Sequence, residues 1–441
     1  MAGLIGALAL VISLTVAAAG SAGTAGRSSP AAIKPPQVLG AKAIKAKYGG
    51  QSITFVGDAA VGNSHVRDQN LVAQFSKQTG IKVKLVPHPS DSSASYAQLA
   101  RNFSSHSSSI DVMMLDVVWP GAFAPYLVNL KPALGKQAKL HAQGIVLNDT
   151  VKGKLVAMPW FGDFGILYYR KDLLKKYGYS GPPTTWAQLG AMAKKIQDGE
   201  RGSNANFYGF VYQGNSYEGL TCDSLEWLAS SGGGQFIDGG KVTINNPKAA
   251  AILNLQRSWV GNIVPQAVTT YQEEDARNAF DSGNAAFMRN WPYAYSASKG
   301  TPVDGKFAVS VLPHSGKSPS VGTVGGWQLG VSKYSKHVGA SIEFVRWMTS
   351  PAVERYDAIF NSNVPTIPAV ATIPAVVKAN PYLIPSIAKV ARVTRPARYL
   401  GTHYAQGSQD IYQGINEILN GKSAQSVLPT ISSELSKLVQ P

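Results

Sequence analysis

Along about 390 residues of this chain the hydrophobic period switches repeatedly from two residues to 3.6 and back, and that alternation limits the fold more than any other feature. Ile53-Thr54-Phe55-Val56 reads as a short strand, and 57–64 as a polar, Gly-containing loop. A helix over 69–79 carries Leu71, Val72 and Phe75 on one face, with Gly80 as its stop. Residues 81–86 alternate as a strand should. A second helix over 96–103 leads through a Ser-rich loop to 111–116, an apolar run of the kind found in strands buried on both faces. Strands alternating with helices build a parallel sheet covered on both sides. Ligands of such sheets bind outside the carboxyl ends of the strands, and Asp116 lies at such an end.

The same logic continues downstream. Strands are predicted over 155–159, 165–169, 207–212, 284–290, 307–312 and 326–331. Helices are predicted over 171–177, 186–198 (Thr185 as N-cap), 248–260, 273–280 and 336–348, with a helical tail from Ser408. Gly232-Gly233-Gly234 reads as a loop that ends a helix. This body exceeds one domain of roughly 100–200 residues, so two lobes are expected.

Residues 1–30 stand apart. The apolar run from Leu4 to Ala19, followed by small residues, reads as a secretory signal cleaved near Ala19. The alternative is an uncleaved anchor, since a run of about 16 approaches the roughly 20 residues that span a bilayer. Either places the body outside the cytoplasm. Residues 31–51, rich in Ala, Gly, Pro and Lys, read as a linker, with the folded body starting near Ser52.

Composition excludes several classes. The chain carries +16, but its 41 basic residues are scattered, with runs no longer than Arg170-Lys171 or Lys175-Lys176. No nucleic-acid motif accompanies them, so a basic surface is expected rather than a nucleic-acid partner. One cysteine, Cys222, can form neither an internal disulfide nor a zinc cluster. The seven histidines are dispersed. Gly316-Lys317-Ser318 and Gly421-Lys422-Ser423 lack the glycine that a phosphate loop needs five residues upstream. No Gly-x-Ser-x-Gly elbow is present. No cofactor, metal or local catalytic motif is therefore called for.

What remains is a set of aromatic and acidic residues at predicted strand ends: Asp116 and Trp119; Trp160, Phe161 and Asp163; Trp291 and Tyr293; and Trp327 after Gly325-Gly326. Ring faces pack on the C–H faces of a sugar, and carboxylates accept from adjacent hydroxyls. Singly, each has a plainer role: a Trp packs, an Asp caps a turn, and Arg395 before Pro396 reaches solvent.

Several segments together resemble the extracellular solute-binding proteins of the type 1, maltose-binding-like class that serve ABC sugar importers. They are 111–119, 165–178, 182–186, 213–220, 271–277, 283–295 and Gly325-Gly326-Trp327. The segments from 213 and 271 are most similar to the trehalose/maltose branch. The resemblance implies a two-lobed α/β periplasmic-binding-protein fold (type II) with the ligand in a cleft between the lobes. It places 52–157 and 311–351 in one lobe, and 158–310 and 352–441 in the other. It also implies sugar contacts from Asp116, Trp119, Phe161, Asp163, Trp291, Tyr293, Gly326, Trp327 and Arg395, and from a glutamate at 273 or 274, written here as Glu273. The implied protein is a monomeric, non-enzymatic receptor for a disaccharide or small sugar, working with membrane permease subunits. Two departures fall in the first lobe, at Asn63-Ser64-His65 where relatives offer an acid, and at Ser92-Ser93-Ala94-Ser95-Tyr96 where they carry an arginine. The rival readings are a receptor for a non-sugar solute, a glycan hydrolase using two of these carboxylates, and a sensor or adhesin that keeps the fold.

Overall fold

The computed structural model describes residues 33–58 and 61–440; the expected signal segment lies outside the described residues. Ten strands of three or more residues carry the architecture. In chain order they are Ser52–Gly57 (β1), Lys82–Pro87 (β2), Val112–Asp116 (β3), Met158–Phe164 (β4), Ile166–Arg170 (β5), Tyr208–Val211 (β6), Ala285–Asn290 (β7), Phe307–Ser310 (β8), Val321–Val331 (β9) and Ala391–Val393 (β10).

They form two main sheets. The first runs β10-β9-β3-β1-β2, with β4 also paired to β9; the second runs β8-β5-β7-β6. Strands β1, β2 and β3 are parallel, as the β-α alternation requires, so Gly57, Pro87 and Asp116 end on one edge. Strand β9 runs antiparallel to β3 and sets Trp327 opposite Asp116. Its start pairs with β10 and its middle with β4.

One residue separates β4 from β5 and so the first sheet from the second. It is Gly165, where a Cβ would collide with Glu226 Oε1. The change of sheet therefore falls later than the expected boundary at 157–158. The expected return at 352 is also displaced, because Val353 and Tyr356 of helix Pro351–Phe360 belong to the first core.

That first core is built on Phe55, Phe75 and Phe344, whose rings meet edge-on at 5.0–5.1 Å. Fully burying each such side chain contributes roughly 1.5–3 kcal/mol. A second core packs Tyr168, Phe280 and Phe307 beneath the other sheet. The end signals in the sequence operate as expected. Gly80 is left-handed at the end of helix Ser64–Thr79, and Thr185 forms a reciprocal capping box with Gln188 at the start of helix Trp186–Glu200.

Two segments correct the sequence reading. Part of the expected linker is helix Ala41–Tyr48, which seats Ile44 in the first core, while the Val38 amide donates to Gln78. Its Lys-rich surface hides an i, i+4 apolar pair, Ile44 and Tyr48. Helix Glu218–Ala229, which precedes the Gly232-Gly233-Gly234 loop, has no range in the sequence reading. It is buried on all sides, so it lacks the one-faced periodicity that marks surface helices. Among the described residues, no helix is long and apolar enough to cross a membrane.

Candidate ligand-binding site

A cavity lies between the two sheets. Nine of the ten residues expected at the ligand line it: Asp116, Phe161, Asp163, Glu273, Trp291, Tyr293, Gly326, Trp327 and Arg395. Trp119 does not. It is 2% exposed and stands behind Trp327, edge-on at 5.5 Å and 90°, packed also against Tyr96 and Phe123. It directly precedes helix Pro120–Phe123, and its ring supports the wall rather than forming it.

The first lobe supplies one wall from consecutive strand ends. Asp116 closes β3 and accepts a long bond from the Val118 amide at 3.4 Å. Gly326 is required beside it: its φ is +107°, and a Cβ would lie 2.5 Å from the Phe161 carbonyl oxygen. That close backbone approach, at an irregularity in the β4–β9 ladder, turns Trp327 toward the cavity. Asp58 and His88 follow β1 and β2 in the same way as Asp116 follows β3. Applied to all three parallel strands, the strand-end rule names both; the sequence reading applied it only to the third.

The second lobe supplies the aromatic floor. Trp291 and Tyr293 follow β7. The Arg289 guanidinium lies 4.0 Å beneath the Trp291 ring, a desolvated cation–π contact that contributes about 2 kcal/mol. Arg289 is held in turn by Glu226 (2.6 and 2.9 Å), Asp223 (3.0 Å) and Gln213 (2.9 Å), all buried. Burial raises the Asp223 and Glu226 carboxyls, and the guanidinium opposes that rise. Glu273 and Glu274 take different positions. Glu273 lines the cavity, accepting from Tyr217 Oη at 2.7 Å and Trp291 Nε1 at 3.3 Å. Glu274 turns away to Tyr293 Oη and Arg277.

Arg395 joins the walls. It donates to Asp116 Oδ2 at 2.8 Å and Glu218 Oε1 at 2.7 Å, and Glu218 also accepts from Ser408 (2.6 Å) and Tyr404. Glu218 lies within the resembling segment 213–220 but was not singled out, because it opens a helix that shows no periodicity. Further bonds cross the cleft from the first helical layer: Ser93 Oγ accepts from the Glu218 amide at 3.3 Å, and Asp91 from Gln272 at 3.2 Å.

Four polar atoms on cavity-lining residues are shielded from solvent and have no hydrogen-bond partner among the described residues. They are Asp58 Oδ1, His88 Nε2, Asp163 Oδ1 and Arg395 Nε. Burial raises the Asp163 carboxyl well above its ordinary range and lowers the His88 imidazole. Cys222 lines the cavity as a buried thiol whose pKa burial raises, which makes it a poor nucleophile. Among the described residues, no group of three or more His, Cys, Asp or Glu could hold a metal ion.

Known proteins are similar to this chain in sequence and fold. The bacterial extracellular solute-binding protein family matches residues 63–355. A probable ABC transporter-binding protein of Deinococcus radiodurans is 44% identical over 393 residues, covering 88% of this chain and 93% of the relative. A maltose-bound Thermotoga structure, T. maritima MalE3, superposes with a TM-score of 0.82 at 36% identity, covering 88% of this chain and all of that one. A solute-binding protein of Agrobacterium vitis S4 with bound D-mannitol, 20% identical, superposes at 0.76 over 88% of this chain and 98% of its own, and shares the two-lobed fold.

Proposed function

The chain belongs to the bacterial extracellular solute-binding protein family, and from that premise we propose that it captures a disaccharide, such as trehalose or maltose, or a smaller sugar for an ABC importer. In this reading it works outside the cytoplasm, as a monomer, and delivers its ligand to permease subunits. The observation that carries the sugar reading is the pairing of partly exposed Trp291 and Trp327 rings with four buried polar atoms that lack a partner among the described residues, in one interlobe cavity. Each such atom costs about 1–3 kcal/mol if left without a partner. A sugar hydroxyl both donates and accepts, and ring C–H faces pack on indole.

Closure follows from the same geometry. A ligand favours the closed form only by touching both lobes. Asp116 and Trp327 come from one wall, Trp291 and Tyr293 from the other, and Arg395 joins them. Hinge closure of this type has periplasmic binding proteins as its general example.

Calorimetric titration with trehalose, maltose, sucrose and glucose tests the reading. Micromolar or tighter binding of one sugar is expected, weakened at least tenfold, about 1.4 kcal/mol, by Trp291→Ala. Unchanged affinity in that variant would remove Trp291 from the site. Steady release of reducing ends from a bound disaccharide would favour a hydrolase over a receptor.

A further inference from the structure

We propose that the preferred ligand of this cleft carries a positive charge, as an amino sugar or aminated glycoside does, and that its ammonium sits among Asp58, His88 and Asp163. This rests on the sugar-receptor reading and narrows its ligand class.

The first support is the charge of the walls. Five carboxylates line the cavity (Asp58, Asp116, Asp163, Glu218 and Glu273) against one guanidinium, Arg395. Arg395 is already engaged by Asp116 and Glu218. Glu273 receives two neutral donors, from Tyr217 and Trp291. Asp58 shares Arg67, 3.5 Å away, with Asp68 and Asp357. Asp163 has no ion pair among the described residues. The acidity is local, since the chain as a whole carries +16.

The second support is hydrogen-bond chemistry. His88 Nδ1 bonds the Pro89 carbonyl, which can only accept, so the proton sits on Nδ1. Burial favours the neutral ring, and Nε2 is then an acceptor. It faces Asp58 Oδ1 at 3.7 Å. The two residues are 5% and 4% exposed, and neither atom has a donor among the described residues. Asp163 Oδ1 is a third acceptor in the same cavity. An ammonium offers three donors and no lone pair; a hydroxyl offers one donor and turns two lone pairs toward acceptors. Two of these three acceptors are carboxyl groups, and an ammonium between them would hold Asp163 ionised against the rise that burial gives it.

The test is calorimetric titration of the intact protein with glucosamine and aminated trehaloses, against glucose, N-acetylglucosamine and trehalose, at a pH where the amines are protonated. At least one amine is expected to bind tenfold or more tightly than its neutral parent, with the ratio falling to about threefold or less in Asp163→Asn. Neutral sugars binding as tightly as every amine, or more tightly, would overturn the charge assignment and leave the receptor reading standing. Failure of every sugar, neutral or aminated, would overturn both. The wild-type comparison decides the matter even if the variant does not fold.

Discussion

Arg395 and Asp116 lie 279 positions apart in sequence, yet the guanidinium of one forks onto the carboxylate of the other, with Nη1 2.8 Å from Oδ2. The bond ties the end of a strand in the first sheet to the loop after β10, and Glu218 of the central helix completes it at 2.7 Å. All three residues are at most 6% exposed. Charges removed from water this far persist only when paired, so the network fixes the geometry of the cleft.

Replacing Arg395 by Met is expected to destabilise the protein by about 3–5 kcal/mol, because Asp116 and Glu218 would be left buried without their cation. Urea unfolding followed by tryptophan fluorescence measures this. Adding Asp116→Asn to the variant should recover part of the loss, since the two sites share one interaction. A loss below about 1 kcal/mol would mean that the pair behaves as a surface salt bridge.

Gly326→Ala should also lower stability, for a backbone reason. The position has φ +107°, and the new methyl would press on the Phe161 carbonyl and Gly162 Cα at 2.5 and 2.8 Å. Strain of this kind costs on the order of 1–3 kcal/mol. An unchanged unfolding midpoint would show that the β4–β9 ladder can shift to admit it.

The stability difference between Asp163→Asn and wild type should depend on pH. Burial raises the Asp163 carboxyl well above its ordinary value of 3.8. A carboxyl raised in the folded state contributes stability that is fully present below its unfolded pKa and is lost as pH rises toward the folded one. The asparagine variant should therefore gain on wild type from about pH 4 upward. Other titrating groups cancel in the difference. A constant gap across that range would show that Asp163 titrates normally in the folded protein.

Cys222 is the one thiol of the chain, 3% exposed, with its pKa raised by burial. Labelling by an aromatic disulfide at neutral pH is expected to be slow in the native protein and rapid in denaturant. Because the residue lines the cavity, a bound sugar should slow native labelling further. Labelling at the same rate with and without ligand would place the sugar elsewhere.

Much of this was legible in the chain because local rules govern it. The parallel β-α order of the first lobe, the Gly80 stop, the Thr185 capping box and Asp116 at the end of β3 each depend on periodicity, turn chemistry or a strand terminus. The aromatic and acidic residues at strand ends converge on one cavity for the same reason, since parallel strands end on a shared edge. Asp58 and His88 obey that rule too and were within its reach.

Other features are decided only in three dimensions. Trp119 and Trp327 follow the same local pattern, yet packing turns one ring into the cavity and sets the other behind it. Helix Glu218–Ala229 is enclosed on every side, so no period marks it, although it carries Glu218, Asp223 and Glu226. Arg395 looks exposed in sequence, and its partners lie 177 and 279 positions away. The sequence by itself determined which segments become strands and helices and where reactive side chains emerge, because those are short-range properties of the backbone. Tertiary structure decided which charges are paired and which polar atoms are left for a ligand, because burial and pairing depend on residues that meet only when the lobes are assembled.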